Sequence, residues 1–250
     1  REQTLLSDNQ PVKSLLPARM LKTPNLEVQL LIFSIRNFKC KFSKGFDIIR
    51  TLLTGPLIAL LMAYLFRLKV QGDYTLAANE NLGLYQFLSV VIALFLGLIL
   101  SAGEIIRERN MLEKEEYLEF SRFSYLNSKI LYLFPVVALQ TLLYVLTGNV
   151  ILGIRDFFLV YWMVLFSAAG FGVLLGLTLS AMSMNTGVVF KRWIPFIMVL
   201  QLLLGGGIVP LDHLNTGRGK YTPLISDLMV AKWGYEALAV EQYTKSKYQK

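Results

Sequence analysis

The 250-residue chain is short of the groups that do chemistry: one cysteine, one histidine, and 17% charged residues, against roughly 25% charged in soluble domains. The single cysteine, Cys40, excludes an internal disulfide framework. With His213 alone and no cysteine pair, no metal site of the usual His and Cys spacing is expected. The phosphate-loop spacing Gly-x4-Gly-Lys-[Ser/Thr] is missing as well; Thr216-Gly-Arg-Gly-Lys220 matches it only superficially, so no nucleotide site is assigned. No nucleophile and base stand together, and the chain by itself is not expected to be an enzyme.

What the chain has instead is apolar length, 54% of it hydrophobic. Uncharged windows run over Thr51–Phe66, Asn81–Gly103, Ile130–Ile154, Phe157–Phe190 and Trp193–Leu211. A helix needs roughly 17–25 apolar residues to cross the hydrocarbon layer, so four windows suffice and the first is helped by Arg50 and Arg67 snorkelling at its ends. The 34-residue window holds a span to about Ala181 and then a polar turn, Ser183-Met184-Asn185-Thr186-Gly187. A β-barrel strand would alternate polar and apolar residues, whereas Phe95-Leu96-Gly97-Leu98-Ile99-Leu100 is apolar throughout. The expected fold is an all-α polytopic bundle with five spans present, over residues 51–211.

A formal charge of +8 would raise the question of nucleic acid in a soluble protein, but here the charges sit at the ends of spans and no nucleic-acid partner is expected. Arg36, Lys39, Lys41, Lys44 and Arg50 precede the first span, and Arg107, Arg109, Lys114, Arg122 and Lys129 lie between the second and third. The opposite loops carry less, Arg67 and Lys69 after the first span and Arg155 after the third, so the positive-inside rule puts the amino end in the cytoplasm.

Residues 1–24, punctuated by Pro11, Pro17 and Pro24, read as a linker from a preceding domain. Over 25–50, Leu31, Ile35, Phe38 and Phe42 recur at helical spacing opposite Arg36 and Lys39, the pattern of an amphipathic helix on the membrane surface. The densest charge cluster, 104–129, mixes both signs directly beneath two spans and reads as a charged helix continuing out of the bilayer. Gln86, Ser89, Gln140, Thr141, Asn149 and Gln201 are the polar residues inside the spans, with no ionisable group among them. That argues against an ion-driven pump and against an intramembrane enzyme. Ala168, Gly172 and Gly176 repeat every fourth residue, a pattern for close helix packing. Pro56 and Pro195 are expected near helix starts, and Pro135 as a site for a kink.

Several motifs in order then resemble one family. Glu108-Arg109-x4-Lys114-Glu115, followed by Phe120-Ser121-x2-Ser124-Tyr125-x3-Lys129, is similar to the charged cytoplasmic helix and its Tyr-Ser continuation in G-type ABC transporters, the ABC type-2 permease family. Lys114 and Phe120 replace an arginine and a tyrosine, and the spacing after Glu115 is one residue shorter. Ile194-Pro195-Phe196, Gly205-Gly206-Gly207-Ile208-Val209-Pro210 and Trp233-Gly234-Tyr235-Glu236-Ala237-Leu238 resemble bacterial members, whose polypeptide commonly carries an ATPase domain before the permease.

The resemblance implies six spans, the sixth beyond Lys250, with 212–250 as an external re-entrant segment. It implies an ATP-driven exporter in the bacterial inner membrane, its amino end cytoplasmic, with ATP and Mg held in a nucleotide-binding domain on the same polypeptide before Arg1. Its other partners would be a second permease copy, identical or closely related, and membrane lipid. Glu108, Arg109, Lys114 and Glu115 are the implied coupling residues. Gln86, Ser89 and Gln201 are candidates for cargo contact, and Leu203 and Leu204, after Leu202, for the apolar valve. The alternative from another class is a membrane anchor or assembly subunit that holds a cytoplasmic ATPase and transports nothing. Lipid, glycolipid, peptide and small amphipath all remain open as substrates.

Overall fold

The computed structural model describes residues 25–43, 45–67, 79, 81–115, 121–154, 158–208 and 224–248. The linker 1–24, His213 and Thr216–Lys220 lie outside them. Among the described residues every regular element is helical. The helices are α1 (Leu26–Phe42), α2 (Gly45–Phe66), α3 (Leu82–Ser101), α4 (Glu104–Glu115), α5 (Arg122–Leu152), α6 (Phe158–Met182), α7 (Thr186–Leu204), α8 (Leu224–Asp227) and α9 (Val230–Tyr248). Five stretches are long and apolar enough to cross a membrane: α2, α3 with the start of α4, α5, α6 and α7.

The helices extend past the uncharged windows at several ends. The first span starts at Gly45, so Arg50 is in its second turn and the amphipathic helix is the shorter α1. The third starts at Arg122, so Lys129 lies two turns inside α5, and 104–129 is divided between two helices, α4 and α5. Pro56 is correspondingly mid-helix in α2, not near its start. Its missing N–H leaves the Leu52 carbonyl, four residues back, without its helical donor; next to the proline a Cβ on Gly55 would lie 2.9 Å from the Gln140 carbonyl oxygen of α5. Helix α5 runs unbroken through Pro135. Pro195 follows a π-helical turn, Val189–Trp193, in which the Ile194 N–H reaches back five residues to the Val189 carbonyl. The wide turn sits where proline cannot donate and its ring would crowd an α-helical carbonyl.

Helix α3 is the hub, buried along most of its length, and its closest partner is α6. Gly97 on α3 and Gly172 and Gly176 on α6 let the backbones touch: a Cβ would come 2.0 Å from the Ala169 carbonyl oxygen, 2.3 Å from that of Leu94 and 2.1 Å from Ser101 Oγ, respectively. Lipid tails give no hydrophobic reason for helices to associate, so dispersion across such close seams holds the pair together. Helix α2 lies at the periphery against α5, its Leu53, Leu57, Leu60 and Leu61 outward.

Helix α7 ends where Gly206 adopts a left-handed φ of 78°. Gly205 and Gly207 lie so close to the buried Phe87 ring that Cβ atoms would overlap it. Helix α9 packs onto α3, α6 and α7, and Ser226 of α8 donates to the Leu204 carbonyl at the end of α7.

Candidate functional site

Three serines and two tyrosines of α5 (Ser121, Ser124, Tyr125, Ser128 and Tyr132) recur at intervals of three and four, one face of a helix, and that face receives α1. Ser124 Oγ donates to the Leu26 carbonyl at 3.0 Å, Asn37 Nδ2 donates to Ser128 Oγ at 3.0 Å, and the Ser121 N–H donates to Gln29 Oε1 at 2.8 Å. Phe33 meets Tyr125 and Phe38 meets Tyr132 edge-on, with centroids 5.9 and 5.6 Å apart. The Tyr-Ser motif is thus the surface that fastens α1 to a span.

Helix α4 is held from three sides. On α6, Ser180 Oγ accepts from the Ile105 and Ile106 N–H groups at 3.0 and 3.2 Å, satisfying two donors that the first turn of any helix leaves open. The Arg109 guanidinium donates to the Ser183 carbonyl at 3.2 Å, just past the end of the same helix. On α5, the Lys129 ammonium bonds Glu108 at 2.5 Å and lies 3.5 Å from Glu104. Tyr125 donates its hydroxyl to the other Glu108 oxygen at 2.8 Å. On α1, the Lys41 ammonium bonds Glu104. The Lys129 side chain is 1% exposed and that of Glu104 5%, so the pairs are shielded from water and stronger than surface pairs.

The expected coupling residues therefore divide. Glu108 and Arg109 take part in this cluster; Lys114 and Glu115 lie on the last turn of α4, and their side chains fall outside the described residues. Lys41, Glu104, Tyr125 and Lys129 were not among the expected residues, although all four belong to it. Opposite charges within a turn or two of span ends were the available signal; which ones meet, across 21 residues from Glu108 to Lys129, is set by tertiary packing.

The expected cargo residues face inward, within one chain. Ser89 donates to the Tyr85 carbonyl at 2.8 Å and accepts the Tyr144 hydroxyl at 3.0 Å. Gln86 Nε2 donates to Gln242 Oε1 at 2.8 Å, and Gln201 Oε1 accepts the Ala231 N–H at 3.0 Å. Both glutamines hold α9, and Gln86 with Gln242 also lines a small pocket between α3, α6 and α9. Leu203 is exposed and Leu204 half-buried beside the glycine run.

Gln201 caps the first turn of α9 at a fully buried N–H. Gln201→Leu should cost about 1–3 kcal/mol, the usual penalty for a buried donor left unsatisfied. Hydrogen exchange of the purified full-length protein should show it as faster exchange confined to 230–248; uniform or unchanged exchange would remove this role.

A cleft of about 1050 Å³ opens beside the cluster between α2 and α3. No individual curated protein matches the chain. The family described as ABC-2 type transporter matches residues 28–243, from α1 into α9. That match spans both the α1 to α5 clasp and the paired charges on α4, and the chain belongs to the ABC-2 type transporter family, as a multi-pass permease component of an ABC transporter.

Proposed function

We propose that the chain is the permease domain of an ATP-driven exporter that moves an amphipathic or lipid-like substrate out of the cytoplasm across the bacterial inner membrane. The observation that supports this best is the three-sided fastening of α4. A 12-residue helix, about 18 Å long at 1.5 Å per residue, joins the connecting helix α1 to spans α5 and α6 through bonds shielded from water. A push delivered at this end is distributed over three elements at once. Lys114 and Glu115 on its last turn would face the nucleotide-binding domain, and Glu108 and Arg109 would pass the displacement on. ATP and Mg would bind in that domain, preceding this chain on the same polypeptide.

The charged end is cytoplasmic in this reading, and 212–250 is external. A second permease copy would pack against the outward face of α7, where Phe196, Val199 and Leu203 are exposed, placing Leu203 and Leu204 at the exit. Leu31 and Ile35 on the open face of α1 would rest in lipid.

The full-length protein reconstituted in liposomes with a fluorescent short-chain phosphatidylglycerol tests the reading. ATP should change the distribution of the probe between leaflets, and the probe should stimulate ATP hydrolysis. ATP hydrolysis indifferent to the probe, with no redistribution, would favour a membrane anchor.

A further inference from the structure

The cleft between α2 and α3 changes in polarity along its depth. At its charged mouth Lys41 is neutralised by Glu104, Glu108 by Lys129 behind it, and Arg50 lies 3.7 Å from Asp47. Lys39 and Arg107, both exposed and both lining the cleft, have no partner among the described residues. The mouth therefore carries two uncompensated cations.

One turn deeper, Thr51, Thr54 and Gln140 form a polar ledge. Gln140 Nε2 donates to the Thr51 carbonyl and to Thr54 Oγ1, both at 2.9 Å. Its Oε1 is buried without a partner, on a residue 2% exposed. A buried acceptor left bare costs about as much as a lost hydrogen bond, and a small turn of the Gln140 amide toward the cleft it lines would let a ligand donor meet it. Apolar side chains line the rest of the wall: Ile58 of α2, one turn beyond Thr54, Phe95 of α3, and, nearer the charged end, Ile99 of α3 and Val136 of α5. From Arg50 to Ile58 the helix rises about 12 Å. Along α2 the order is cation, neutral polar, hydrocarbon, from Arg50 through Thr51 and Thr54 to Ile58, and the cleft lies between two helices that touch little.

We propose that this cleft binds an anionic amphiphile drawn from the surrounding leaflet. Its phosphate or carboxylate lies between Lys39 and Arg107, a hydroxyl or amide of its headgroup donates to Gln140 Oε1, and its acyl chain lies along Ile58, Phe95, Ile99 and Val136. This deepens the transport reading by naming the cargo class and its loading site. A second copy covering the cleft and a free anion at the mouth are the competing occupants.

The test uses the full-length protein in phosphatidylcholine nanodiscs carrying a trace of photoactivatable phosphatidylglycerol, or phosphatidylcholine with the same acyl chains. The phosphatidylglycerol probe should label 51–58 and 95–100. Lys39→Gln with Arg107→Gln should reduce that labelling about tenfold or more, since two charge-assisted contacts are lost, without altering the melting temperature, both side chains being exposed. Ile99→Trp, filling the apolar wall, should reduce it too. The phosphatidylcholine probe should label weakly and ignore the double substitution. Equal labelling by both probes, or labelling that survives the double substitution, would overturn the proposal. Loss of labelling with 50 mM inorganic phosphate but not with Ile99→Trp would assign the mouth to a free anion. A disulfide between copies carrying Ile99→Cys would assign the cleft to a dimer contact. Labelling as expected with no ATP-driven redistribution would retain the lipid site and remove the exporter; redistribution without labelling would do the reverse.

Discussion

Lys129→Met should destabilise the bundle by about 3–5 kcal/mol, the usual cost of removing one partner of a buried ion pair. The ammonium is enclosed, and its loss leaves Glu104 and Glu108 facing one remaining cation, Lys41. Adding Glu108→Gln removes the excess carboxylate yet keeps an acceptor for the Tyr125 hydroxyl. The double variant should therefore recover more than half of the loss, a coupling that additive, independent sites would not show. Thermal melts of the four proteins in one detergent give the cycle. The same variants bear on function. Glu108→Lys, which sets two cations against each other, should retain the spans yet separate ATP turnover from transport. An exposed pair would be worth only about 0–1 kcal/mol, so small and additive effects would show that these charges are solvated and that α4 is not held by them.

The second large effect belongs to the α3 to α6 seam, and two glycines on one helix make it a paired test. At Gly172 a methyl group would press into the Leu94 carbonyl oxygen at 2.3 Å; at Gly170 it would meet only the Phe134 ring edge at 3.5 Å, ordinary contact. Gly170→Ala should be neutral or gain up to about 1 kcal/mol, because glycine costs a helix that much in conformational entropy. Gly172→Ala must push the two helix backbones apart and should cost about 1–3 kcal/mol. Gly97→Ala, which meets the Ala169 carbonyl oxygen from the other side, should add to the damage until the double variant no longer accumulates in the membrane. The yield of monodisperse protein after solubilisation, followed by its melting temperature, ranks the three. Equal behaviour of Gly170→Ala and Gly172→Ala would mean that the helices stand further apart than described.

What the residues alone reveal is the hydrocarbon thickness. Uncharged windows locate all five spans, because a charge inside lipid is costly and apolar runs are consequently long. They do not locate helix ends, because a helix continues through charges wherever these can reach water or a partner: Arg50 does the first in α2 and Lys129 the second in α5. The spacing of Ala168, Gly172 and Gly176 announces a close contact but not with which helix, and Gly97, alone in its apolar run, announces nothing. Gln86 and Gln201 are natural candidates for cargo because they are polar within lipid. Their actual partners, Gln242 and the Ala231 N–H, come from a segment whose return to the bundle no local pattern specifies. The charge cluster around α4 is half legible for the same reason: Glu108 stands in a motif, whereas Lys129 looks like one more basic residue at a membrane edge.

The charge count of the α4 cluster has an electrical consequence. Lys41 and Lys129 balance Glu104 and Glu108, so these four do no net electrical work when they shift together, and any charge moved by α4 is that of its other residues, Arg107 and Arg109 among them. A single unbalanced charge carried fully across would cost or gain about 2.3 kcal/mol per 100 mV. If α4 moves in the cycle, the paired charges add nothing to its voltage dependence. Lys129→Met leaves one negative charge uncancelled, so the difference in rate between energised and depolarised vesicles should change by the equivalent of one charge.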